Sequence, residues 1–257
     1  MMYGGTNWGA LACPVVATSY DYSSPISENR QIDSKYYETK NLALFTRIAD
    51  DLTVTNRIAS SVSYSTNPTI STSELRNPNT NSAFYVTIHN TSSSGTRESF
   101  KLHVNTSIGT LTIPQHAGQI LLDGHQSKII VTDFSIGKQK LTYSTAEVLT
   151  YALIDGSPTV VLWVPRGESA EFHVKNAKKG SVQSNDGSNV KFYKDRNGLV
   201  ANVQSVKGMI VLHFDNGVRA IVADRTTAYL FWAPNFSKDP FGPVDQSGKL
   251  FVLLIMV

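Results

Sequence analysis

The pattern of apolar and polar positions changes character once along the chain. Between Asp33 and Ala49 the spacing is helical: Tyr37, Asn41, Leu44 and Ile48 align along one side, and Asp33 or Ser34 stands where a capping side chain belongs. This is the only stretch that predicts a helix. Before it, an apolar start and Gly4-Gly5 fit the end of a buried strand, and residues 6–28, with Pro14 and Pro25, form a long loop. Ordered loops of that length carry function disproportionately often.

From Leu52 onward, short β-branched and aromatic runs alternate with turn residues, the signature of an antiparallel β domain. Residues 82–89, 99–104 and 128–134 read as strands. Two hairpins are expected where Asn197-Gly198 and Asn216-Gly217 separate apolar runs, because a two-residue turn with both central φ angles positive favours Asn-Gly. No second strand-helix unit follows the first, so a complete (β/α)8 barrel cannot be built. A parallel strand needs neighbours and helices on both faces. Residues 1 to about 50 are therefore expected to be poorly ordered or to dock on the β domain.

The expected fold class is mainly β: an antiparallel, β-sandwich-like domain over 51–230, preceded by one orphan β/α unit over 1–50. Around Phe231-Trp232-Ala233-Pro234 the texture shifts, and 231–257 reads as the start of a following β domain. Its apolar end, residues 250–257, is too short for a membrane span, which takes about 20 apolar residues as a helix. It reads as a truncated strand or an out-of-frame tail, and as an aggregation hazard.

Composition narrows the function classes. The chain has 257 residues, 41% hydrophobic and 17% charged, with net charge +3. Lys and Arg are scattered apart from small clusters such as Lys175/Lys178/Lys179, so no nucleic-acid partner is expected. Cys13 is the only cysteine, which rules out an intrachain disulfide and reads as a small buried apolar residue. The opening residues show no export signal. Asn90, Asn105 and Asn235 head glycosylation acceptor patterns. No metal-binding histidine spacing and no phosphate loop occurs, so no cofactor or metal is expected.

Two blocks near the start, Tyr3-Gly4-Gly5-Thr6-Asn7-Trp8-Gly9 and Thr18-Ser19-Tyr20-Asp21-Tyr22, resemble the end of the catalytic barrel in glycoside hydrolase family 35, the β-galactosidases. Further blocks, among them Leu111-Thr112-Ile113-Pro114-Gln115, Tyr143-Ser144-Thr145-Ala146-Glu147-Val148 and Ala228-Tyr229-Leu230-Phe231-Trp232-Ala233-Pro234, are similar to the second domain of the large, fungal-type secreted members. Val15 and Val16 depart from the glycines that relatives commonly carry there. The resemblance implies a fragment holding the last barrel unit, the whole second domain and the start of a third. For the parent enzyme it implies an extracellular location and retaining hydrolysis of terminal non-reducing β-D-galactose, with no metal or organic cofactor. The partner would be a galactoside or galactose-containing polysaccharide.

In the family both catalytic glutamates precede the GGTNWG segment, so no catalytic residue is expected in this chain and the chain alone should be inactive. Tyr20 and Tyr22 are the substrate-binding residues the resemblance implies, lining the galactose pocket. A phenol there can hydrogen-bond a sugar hydroxyl while its ring excludes water. Substitutes for the glutamate pair are scarce: Glu168/Glu171 and Asp50/Asp51 read as solvated surface charge, the latter at a domain junction. Trp8 and Asn7 read as structural, and Trp163 and Trp232 as buried. The alternatives are a non-catalytic carbohydrate-binding or scaffolding β module, and a gene-model fragment with no role of its own.

Overall fold

The computed structural model describes residues 24–232, together with Thr6, Ser19 and the backbone of Val252–Leu253. The helix forms over Ser34–Thr46 (α1), with the Asp33 carboxylate accepting from the N–H groups of Lys35 and Tyr36, the bonds an N-cap supplies. After a short 3-10 turn the strands run β1 (Asn56–Ser61), β2 (Ile70–Arg76), β3 (Ala83–His89), β4 (Glu98–Phe100), β5 (Leu102–Thr106), β6 (Gly109–Ile113) and β7 (Ile120–Leu122). They continue with β8 (Lys128–Ile136), β9 (Gln139–Ser144), β10 (Glu147–Ile154), β11 (Ser157–Val164), β12 (Ala170–Lys175) and β13 (Gly180–Asn185). The last of the domain are β14 (Asn189–Lys194), β15 (Gly198–Gln204), β16 (Met209–Phe214) and β17 (Arg219–Asp224), followed by a short helix α2 (Arg225–Tyr229).

An eight-stranded sheet in the order β1-β2-β3-β8-β9-β12-β15-β14 faces a five-stranded sheet in the order β10-β11-β17-β16-β13. The fold is thus mainly β and sandwich-like. Pairing is antiparallel in the larger sheet, whereas β11 and β17 run parallel in the smaller one, Val161 opposite Ile221. Alternation puts one face of each strand inside. Phe84, Val131, Phe172 and Ala201 from the larger sheet meet Val148, Val160, Leu162, Ile210 and Val222 from the smaller. Asp133, at φ 50, interrupts β8, so that Val131 and Phe134 both face this core although three positions apart. The other face of the larger sheet carries Tyr85, Ile130 and Tyr143, covered by Phe100, Leu102, Ile113 and Leu122 from the β4–β7 and β5–β6 ribbons.

The helix is part of this packing. Phe45, with Ile48 and Ala49 just beyond the helix end, belongs to the inter-sheet core, and the Phe45 ring lies 6.0 Å from that of Phe84. Leu44 joins Leu149, Trp163, Ala228 and Phe231 on the outer side of the smaller sheet. Of the two outcomes expected for the N-terminal segment, docking on the β domain is what its described portion does.

Several local expectations need correction. Gly198 is not a turn residue: it pairs with Lys175 inside β15, and Asp195-Arg196-Asn197 make the connection. At Asn216-Gly217 only the glycine is left-handed, φ 87, with its N–H donating to the Phe214 carbonyl at 3.0 Å. That geometry fits a turn followed by a glycine bulge rather than a two-residue loop. The two-residue turn with both φ values positive falls instead at Asp155-Gly156, φ 51 and 76, between β10 and β11. The expected strand 99–104 is broken at Lys101, whose N–H and C=O bond Thr66 across from it. Trp163 is buried as expected, but Trp232 is 40% exposed, its ring 4.8 Å from the Lys40 ammonium.

Candidate functional site

Tyr20 and Tyr22, with Asn7, Trp8 and Cys13, lie outside the described residues. What surrounds them can be built from two fixed points. Thr6 and Ser19 form an antiparallel bridge, and the Thr6 hydroxyl donates to the Glu28 carboxylate. Hydrogen bonds from Thr6 and then Ser19 hold the Glu28 carboxyl below its usual range. Glu28 lies in a tight turn closed by the Ile26–Ile32 bridge, and Asp33, the cap of α1, follows at once. The carboxylate therefore links Thr6 and Ser19 to the turn that leads into α1.

The carboxylate pair flagged in the sequence is not surface charge. Glu168 and Glu171 are both buried. One Glu171 oxygen accepts from the Gln115 N–H at 2.5 Å and the Tyr143 hydroxyl at 2.9 Å; the other accepts from the His116 N–H and the Asn202 amide, both at 2.9 Å. Burial pushes the Tyr143 phenol far up, so it stays a donor. Glu168 pairs with the buried Lys128 ammonium at 2.5 Å. Glu171 is held by four protein donors and Glu168 by a buried ion pair, which is structural work. No signal in the sequence marks this: the donors lie 28 to 56 positions away. Of the other pair, Asp50 is exposed, while half-buried Asp51 accepts from Ser82 at 2.6 Å and from Asn77, fixing the helix exit to β3.

A third group of polar side chains went unremarked in the sequence. Between α1, β10, α2 and residues 125–129 lies a cavity of about 410 Å³. Glu38 accepts from the Tyr229 hydroxyl at 2.6 Å and pairs with Arg225 at 3.3 Å, while the Arg225 guanidinium sits 5.6 Å from the Trp163 ring centre. Glu147 accepts from the Ile129 N–H at 3.1 Å, and burial pushes its carboxyl up to about 7. Asn41, on the buried side of α1, also lines the space. Beside it Lys40 donates to the Tyr229 and Phe231 carbonyls and clamps α1 to the end of α2. Among the described residues no group of His, Cys, Asp and Glu is placed to hold a metal ion. Nor is any helix among them long and apolar enough to cross a membrane.

Comparison with known proteins places these observations. The family described as "Beta-galactosidase, domain 2" matches residues 52–231, and "Glycosyl hydrolases family 35" matches residues 1–45. The chain is 66% identical over 248 residues to "Probable beta-galactosidase B" of Pyrenophora tritici-repentis, covering 96% of this chain and 25% of that protein. Similar proteins of the same name from Emericella nidulans and Aspergillus niger are 59% and 56% identical, each with 96% of this chain and 24% of the relative covered. The chain thus spans about a quarter of the length of the relatives it matches.

Proposed function

Because the chain belongs to the β-galactosidase domain 2 family, we propose that it forms the support and part of the pocket rim of a β-galactosidase, the reaction itself needing residues that this chain does not hold. Retaining glycosidases use two carboxyl groups about 5–5.5 Å apart, one a proton donor and one a nucleophile. In this reading both come from residues outside the chain, and the substrate is a galactoside with a terminal non-reducing β-D-galactose. Tyr20 and Tyr22 contribute hydroxyls to the sugar. The division of labour follows the sequence: 1–50 belongs to the catalytic barrel, 51–230 is the supporting β domain, and 231–257 leads into another. Exposed Asn90 and Asn105 are open to glycosylation, in keeping with an extracellular setting.

The observation that carries this reading is the insertion of Phe45, Ile48 and Ala49 into the inter-sheet core. A helix packed into another unit's core holds the loop before it at a fixed position. That is what a pocket rim requires. The test is complementation. The purified chain should not turn over a chromogenic β-galactoside. Adding a polypeptide with the preceding catalytic segment of the Pyrenophora relative should restore turnover, and Tyr22→Phe should lower kcat/KM about tenfold, the share of one hydrogen bond. Turnover by the chain alone, or restored turnover indifferent to Tyr22→Phe, contradicts the proposal.

A further inference from the structure

The cavity bounded by α1, β10, α2 and residues 125–129 contains a side chain the fold does not explain. Asn41 is 3% exposed, yet neither its amide nitrogen nor its amide oxygen has a hydrogen-bond partner. Leaving a buried donor and a buried acceptor unmet is destabilising, whereas a leucine of nearly the same shape would pack without that loss. Asn41 stands beside Leu44 and Phe45 on the buried side of α1, and its amide points to a partner that binds in the cavity. From the amide oxygen and nitrogen together, that partner must both donate and accept.

The rest of the lining restricts its chemistry. Glu38 and Glu147 place acceptors around the cavity, and Arg225 places a donor. An anionic ligand would meet the two acids, and a cationic one would meet Arg225 and Lys35. A neutral ligand rich in hydroxyls meets both kinds of group on favourable terms. Phe45, Ile129 and Val148 add apolar surface suited to C–H faces. The volume of about 410 Å³ lies at the small end of the range for small-molecule sites, roughly 300–1,000 Å³. We propose that this cavity binds a neutral sugar of one or two rings, with the Asn41 amide bonding adjacent hydroxyls and Glu147 accepting a further one.

This inference does not depend on hydrolysis or on Tyr20 and Tyr22. The test is titration of the isotope-labelled full chain with D-galactose and with lactose, followed by nuclear magnetic resonance, using glucuronate and glucosamine as charged comparisons. The expected result is saturable shifts at Asn41, Ile129 and Glu147 at millimolar sugar, with both charged sugars at least tenfold weaker. Asn41→Leu should abolish those shifts while leaving the thermal midpoint unchanged or higher, because it removes two unmet polar atoms. Glu147→Gln keeps an acceptor and should weaken binding less than tenfold. The proposal is overturned if neither neutral sugar gives saturable shifts at these residues, as for a site holding water alone. It is equally overturned if Asn41→Leu binds sugar like the parent chain, or if that variant is destabilised while binding persists.

Discussion

Gly198 sits inside β15 with its α-carbon facing the Val174 carbonyl and the His173 ring, so that a methyl group there would run into both. Backbone cannot yield as a flexible side chain can. Gly198→Ala is expected to destabilise the domain by about 2–3 kcal/mol, the cost of overpacking, as read from urea unfolding. The residue beneath it supplies a pH signature. His173 is fully buried, bonded to the Thr142 hydroxyl at 2.6 Å, with Asp195 at 3.3 Å; burial holds its pKa below the ordinary value. As pH falls below the unfolded value, roughly 6.5, the unfolded chain takes a proton the native one resists. Stability therefore drops from that pH down to the folded pKa and levels beyond it. His173→Gln should flatten this part of the profile between pH 7 and 5; an unchanged slope contradicts the assignment. Glu171→Ala would remove the acceptor that four donors share and should cost roughly 3 kcal/mol by the same unfolding measurement. At this scale the Asp33 cap was legible in the sequence, because a cap acts within three residues. The work of Glu171 was not, because its partners at 115, 116, 143 and 202 meet it only through the tertiary fold.

Among elements, the helix was legible and its neighbours less so. Helical spacing put Leu44 and Ile48 on one side and the fold buried both, together with Phe45. What spacing could not show is which cores they enter, since the inter-sheet core and the outer face of the smaller sheet are assembled by strands from separate parts of the chain. Phe45→Ala should cost about 3–5 kcal/mol, the usual range for emptying a buried aromatic site. Leu42→Ala on the same helix, 50% exposed, should shift stability by less than about 0.5 kcal/mol. Equal effects in thermal or urea unfolding would mean the helix is not seated as described. Hairpin positions were legible and their turn types were not. Asn-Gly favours a two-residue turn, but Gly198 is drawn into the sheet by its pairing with Lys175 of β12. The five-residue α2 also escaped sequence reading, being too short to show a period.

In the whole molecule, α1 is held by the β domain rather than merely attached to it. The mainly β sandwich was legible as strand texture; the parallel β11–β17 pair was not, because adjacent runs announce only their local hairpins. The cavity escaped for a similar reason, since Glu38, Asn41, Glu147 and Arg225 come together from separate parts of the chain. If α1 and the sheets share one core, they open together in a cooperative unit. Native-state hydrogen exchange on the full chain measures this directly. Amides of Leu44 and Phe45 are expected to exchange with an opening free energy within about 1 kcal/mol of those in β8 and β10. Exchange of these helix amides at rates of an unstructured peptide, while the sheets stay protected, would contradict it.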